Sequence, residues 1–216
     1  MIQYSWQLLS VLMSKYHIQD PAIDPETGIL KNKFNITSQA ELNFKENQLL
    51  SEAYDWALDA FEENHIFCVK DIQDLHSHFL GSLYGWAGVY RTVDLSSKDI
   101  HWCHARFVPQ QLEELDSKLS ELQPLSPSLG FEEIIRRIAL IHGELVVIHP
   151  FRDGNGRVSR LFANLMFSHC DLPLLQLEHQ MEEDRQEYFA AIRQVCLEKD
   201  YTKLRAFFAR RVVSAS

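Results

Sequence analysis

The sequence predicts a mainly α-helical single domain carrying one short β-hairpin. Apolar residues recur at helical spacing through most of the chain, and strict alternation with polar residues occurs only around Val93 to Trp102. No internal repeat or low-complexity tract breaks the pattern, and 216 residues are enough for one well-filled core.

In chain order, residues 2–16 read as a short amphipathic helix within an N-terminal helical extension over 1–24. A loop with Pro and Asp (Asp20 to Gly28) ends it, and the main domain occupies 25–216. Ser38 then sits at an N-cap with Glu41 three residues on, a capping-box pattern. The long helix that follows carries Leu42, Leu49, Leu50, Ala53, Tyr54, Ala57, Leu58 and Phe61 at helical spacing. Another helix, at about 71–83, ends where glycines interrupt Tyr84-Gly85-Trp86-Ala87-Gly88. Val93 and Leu95, then Ile100 and Trp102, alternate on either side of a turn at Ser96-Ser97-Lys98-Asp99, giving the hairpin. Helices resume at 108–122, 131–148, 157–169, 183–198 and 202–213, with Pro124 and Pro127 marking the loop between the first two.

The composition excludes several functions. A net charge of −9 leaves no broad basic face, so direct nucleic-acid binding and anionic-membrane binding are not expected. A polyphosphate would need a local concentration of positive groups, which Arg152, Arg157 and Arg160 supply. Four scattered cysteines with no CxxC pair favour reduced thiols and a cytoplasmic setting. Met1 to His17 lacks a basic start and a cleavage site, so it does not read as a signal peptide. No run approaches the ~18 apolar residues of a membrane span. The longest candidate, from Ile138 to Ile148, is interrupted by His142 and Glu144.

The chemistry concentrates in His149-Pro150-Phe151-Arg152-Asp153-Gly154-Asn155-Gly156-Arg157 and Arg160. Apolar helical faces run into this loop (Ile134, Ile135, Ile138, Ile141, Leu145, Ile148) and out of it (Leu161, Phe162, Leu165, Met166), so it should be held rigidly. Gly154-Asn155-Gly156 opens the outgoing helix, where unpaired amides and the helix dipole favour an anion. A GxG alone is more often a plain turn, but Arg157 and Arg160, at i and i+3, point the same way, and Asn164 continues their stripe. Asp153 suits a hard cation such as Mg²⁺, or serves as an N-cap. His149, with an ordinary pKa of about 6.5, is a candidate general base, although most histidines are structural. There is no GxxxxGK followed by Ser or Thr, and no GxGxxG after a strand. His101-Trp102-Cys103-His104 is too crowded for one tetrahedral zinc site.

At every fixed position the loop resembles the Fic (Fido) signature, His-x-Phe-x-Asp/Glu-Gly-Asn-Gly-Arg-x-x-Arg. Further stretches are similar to that family: Gly28 to Phe34, Leu75-His76 through Tyr84 to Arg91, and Asp184 to Tyr188. The resemblance implies a protein adenylyltransferase that moves AMP from ATP to a Ser, Thr or Tyr hydroxyl of a target protein and releases pyrophosphate. It implies His149 as base, Asp153 on Mg²⁺, Gly154, Asn155 and Gly156 as the anion hole with Asn155 near the α-phosphate, and Arg157 and Arg160 on the β- and γ-phosphates. The hairpin at 93–104 matches the family's flap, where a target segment adds as a strand. Lys98 at its tip is placed to reach the nucleotide.

Many family members carry an inhibitory Ser/Thr-x-x-x-Glu-Gly/Asn motif. Here Glu46-Asn47 and Glu63-Asn64 have Leu42 and Asp59 where Ser or Thr belongs. Restraint is therefore expected to be absent, or to come from a separate antitoxin-like protein. The alternatives are a Fic-fold transferase using another nucleotide, or a non-catalytic interaction module. Export as an effector and a homo-oligomer, with the N-terminal helix packed on a second copy, stay open.

Overall fold

The computed structural model describes residues 22–62, 64–97, 100–175 and 182–214. The predicted helix at 2–16 and Lys98 lie outside the described residues. Seven α-helices are described, which we number α1 (Gln39–Ala60), α2 (Val69–Leu80), α3 (Val108–Leu122), α4 (Phe131–Ile148), α5 (Asn155–Ser168), α6 (Glu182–Glu198) and α7 (Thr202–Ser214). Two strands, β1 (Ser96–Ser97) and β2 (Ile100–His101), form the small antiparallel hairpin. None of the described helices is long and apolar enough to cross a membrane.

α4 is the central element and packs against α3, α5, α6 and α7, while α1 and α2 cover the other side of α5. Its sequence explains this position. Ile134, Ile135, Ile138, Ile141, Leu145 and Ile148 are all buried, so its apolar face is wider than a surface helix needs. Gly143 has a steric purpose, because a Cβ there would lie 2.7 Å from the Tyr201 ring. The helix can approach the start of α7 only without that atom.

Ser38 caps α1 as predicted, with its hydroxyl accepting from the Glu41 amide at 3.5 Å. Leu42, Leu49, Leu50, Ala53 and Ala57 form the buried stripe, but Leu58 is exposed. The stripe also contains a carboxylate, Glu46. α2 begins and ends earlier than predicted, because the Asp71 side chain accepts from the Cys68 amide and fixes the start there. The hairpin also differs from the expectation. Ser96 pairs with His101 and Ser97 with Ile100, so the serines expected in the turn belong to the ladder. The Trp102 amide donates to the Leu95 carbonyl at 3.3 Å, which continues the same register and leaves 98–99 between the strands.

Candidate active site

The site lies where α4 ends and α5 begins. His149 closes α4 in the left-handed conformation, φ 51° and ψ 60°, with its amide still bonded to Leu145. Its Nδ1 lies 3.2 Å from the Val146 carbonyl. A carbonyl can only accept, so the proton sits on Nδ1 and Nε2 keeps its lone pair. The Trp102 indole stacks on the imidazole, 4.1 Å between centroids and 21° between planes. Burial drives the His149 pKa down to about 3, the Arg91 charge pushes the same way, and the Val146 carbonyl opposes both. The ring is neutral at pH 7.

The loop after His149 is fastened from within. Phe151 is fully buried. The Asn155 amide accepts from the Phe151 N–H and donates to the Phe151 carbonyl, both at 2.8 Å. Asn155 therefore holds the turn closed, and its side chain is spent on the backbone. His76 supports the turn from α2. It stacks on Phe151 at 3.8 Å, accepts from the Gly88 amide at 2.8 Å and donates from Nε2 to the Asp153 carbonyl at 2.9 Å. Burial keeps it neutral, with a pKa lowered to about 4.

Gly154 caps α5 at φ 76°, and a Cβ there would come 2.8 Å from Leu80. Only glycine meets both conditions at low cost. The first-turn amides of α5 have no carbonyl inside the helix to bond, and they face outward from this turn. Asp153 lies beside them, its carboxylate accepting from the Gly154 amide at 2.5 Å. Burial and the nearby Glu46 raise its pKa, while Arg157 acts against the rise.

Arg157 is held on three sides. Nη1 donates to Glu46 at 2.5 Å, Nη2 lies 3.8 Å from Asp153, and the guanidinium sits 4.9 Å above the Phe79 ring. The other oxygen of Glu46 accepts from the Tyr84 hydroxyl at 2.6 Å. Arg160 is half-buried one turn further along α5. The structure thus brings His149, Asp153, Gly154, Asn155, Gly156 and Arg157 onto one turn, with Arg160 following one helical turn later on α5. Asn164 lies apart from this group. It is buried, donates to the Tyr54 hydroxyl at 2.9 Å, and accepts from the Leu175 amide at 2.7 Å, so it anchors the segment after α5.

Sequence reasoning missed the supporting residues. Glu46 was passed over because Leu42 stands where an inhibitory motif has Ser or Thr, yet it meets the first arginine of the loop. Arg91 and His76 were visible only as parts of stretches resembling the family. Among the described residues no group of three or more His, Cys, Asp or Glu could hold a metal ion.

The chain is similar in sequence and fold to known proteins. The Fic/DOC family model matches residues 66–167. The chain is 32% identical over 153 residues to the protein adenylyltransferase VbhT of Bartonella schoenbuchensis, covering 69% of this chain and 31% of that protein. It is 28% identical over 155 residues to a probable protein adenylyltransferase, y4lH, of Sinorhizobium fredii, covering 71% and 79%. Among solved structures, the N-terminal Fic domain of a Bartonella effector protein superposes with a TM-score of 0.75 at 21% identity, covering 91% of this chain and 94% of that one. An effector from Bartonella tribocorum, solved with bound AMPPNP, gives 0.74 at 18% identity, covering 91% and 98%.

Proposed function

We propose that this chain, which carries a Fic/DOC-family domain at residues 66–167, is a protein adenylyltransferase that transfers AMP from ATP to a hydroxyl of a target protein. The observation that carries the reading is the His149 tautomer: Nδ1 donates to the Val146 carbonyl, which leaves Nε2 an acceptor at the start of the turn that Gly154 closes onto α5. An attacking hydroxyl needs a neutral imidazole there, and a transferring phosphorus needs donors opposite.

In this mechanism the triphosphate seats on the first turn of α5, its α-phosphate at Gly154 to Gly156. Arg157 and Arg160 hold the β- and γ-phosphates, and Arg157 shares its guanidinium between them and Glu46. The target oxygen attacks the α-phosphorus while Nε2 takes its proton. The new O–P bond forms as the bond from the α-phosphorus to the bridging oxygen breaks, and pyrophosphate leaves with that electron pair. Asp153, an oxygen donor beside the phosphate seat, fits Mg²⁺, which when bound would neutralise phosphate charge. The protein supplies position and charge, which is most of what phosphorus transfer requires.

The target would dock on the flap at 93–104 by strand addition. Lys98 is proposed only as a further nucleotide contact. A separate inhibitory protein supplying a glutamate to Arg160 fits the incomplete motif at Glu46, and a reducing cytoplasm suits the four free cysteines. The test is transfer from ATP labelled at the α- or the γ-phosphate into a lysate. Label from the α-position alone, lost in His149→Ala, is expected. Label from the γ-position would replace the reading with phosphoryl transfer, and none from either would leave an interaction module.

A further inference from the structure

The stems of the flap and the end of α4 meet on one buried guanidinium. Arg91 is 4% exposed. Its Nε donates to the His149 carbonyl at 2.7 Å, Nη1 to Val93 at 2.7 Å, and Nη2 to Ile148 at 3.2 Å and also to Cys103. Val93 precedes β1 and Cys103 follows β2, so one side chain bonds both stems of the hairpin and the last two residues of the helix-and-base segment. Backbone bonds reinforce the junction. The Arg91 amide donates to Pro150 at 2.9 Å, and the Cys103 amide to Val147 at 3.4 Å. On the second stem, Trp102 lies flat on the His149 ring.

His149 needs such support. A non-glycine residue at φ 51° persists only where its surroundings over-determine it. The planar fork of an arginine can satisfy several carbonyls at fixed angles, which the single ammonium of a lysine cannot reproduce.

We propose that Arg91 is a positioning residue that registers the flap against His149, so that a hydroxyl aligned by the flap backbone meets Nε2 at a set distance. This rests on the transferase reading. Those Arg91 side-chain bonds end on Val93, Cys103, Ile148 and His149, on the flap side of the turn, so the clamp acts on the chemical step more than on the nucleotide seat.

Amide hydrogen exchange on the wild-type protein is the first test. Protection at the Cys103 and Arg91 amides, which bond Val147 and Pro150 across the junction, should agree within about tenfold, because one opening event releases both. Cys103 exchanging more than about tenfold faster than Arg91 would overturn the clamp. The second test is Arg91→Lys, with folding checked by thermal unfolding. Flap protection should fall at least about tenfold. The Kd for Mg-ATP should stay within about twofold, and kcat for AMP transfer should fall about a hundredfold, the usual cost of ångström-scale misplacement. Transfer within about twofold of wild type, or nucleotide affinity falling in step with kcat, would refute the proposal. If Arg91→Lys does not fold, the wild-type exchange pattern decides. If the wild-type protein transfers no AMP, the transferase reading fails, while the exchange results still judge the clamp.

Discussion

Glu46 and Arg157 stand 111 positions apart in the chain and share a 2.5 Å charged hydrogen bond on the floor of the site. The carboxylate is 8% exposed and the guanidinium 22%, so water screens the pair only in part. With Tyr84 on its second oxygen, Glu46 is fixed in place and fixes Arg157 in turn. The arginine waits beside the phosphate turn with part of its charge already matched.

Glu46→Gln should therefore destabilise the nucleotide-free protein by about 2 kcal/mol, below the roughly 3–5 kcal/mol of a fully buried pair because Arg157 is partly wet and Asp153 is near. Phosphates share that arginine with Glu46 in the complex and weaken its hold on the carboxylate, so the loss should shrink when Mg-ATP is present. By linkage, the variant should bind Mg-ATP about tenfold more tightly. Urea unfolding with and without nucleotide measures both. An equal loss in both states would mean that phosphate never reaches Arg157.

The turn depends on the Asn155 amide. Asn155→Ala leaves the buried N–H and carbonyl of Phe151 without their partner, and stability should fall by about 2–3 kcal/mol. Transfer should fall with it, because the α5 amides lose their fixed frame. A loss under about 0.5 kcal/mol by chemical denaturation would show that the turn holds without the clamp.

Gly154→Ala should cost about 1–3 kcal/mol, from positive φ and from a Cβ 2.8 Å from Leu80. Relief of that contact moves the amides at the phosphate seat, so Mg-ATP affinity should drop at least about tenfold. Calorimetry measures it, and unchanged affinity would place the nucleotide elsewhere.

Acid should weaken the fold through buried histidines. Burial lowers His149 to about 3 and His76 and His142 to about 4. Unfolded histidines take up protons near pH 6.5, so the stability is whole above that pH and is lost as pH falls toward 4. Each contributes a slope of about 1.4 kcal/mol per pH unit in that window. His142, which bonds Ser159 and Tyr188, tests this away from the site. His142→Gln should remove about one proton from the stability slope measured between pH 5 and 6, and an unchanged slope would contradict it.

The helical architecture was legible because periodicity and punctuation agreed. α3 and α4 begin and end where the sequence placed them, since Pro109 and Gly130 mark their starts and apolar faces fill their length. The hairpin was found but its ladder was displaced, because Ser96 and Ser97 look like turn residues until Leu95 and Trp102 set the register. The phosphate turn was legible as a local pattern. The long-range partners were not. Spacing along α5 put Asn164 with the arginines, yet the return of residue 175 onto α5 buries it. Likewise no local signal announces that Glu46 crosses to Arg157, or that Arg91 gathers carbonyls from the flap stems and from His149. Such pairings exist only once helices pack.

Which phosphorus faces His149 is the most direct question. A crystal structure with Mg²⁺ and an ATP analogue that cannot be cleaved between the α- and β-phosphates would answer it. The account predicts the α-phosphorus on the first turn of α5, opposite Nε2, with room for a single attacking oxygen between them. A nucleotide seated with its γ-phosphorus nearest that nitrogen, or bound away from residues 153–160, would contradict it.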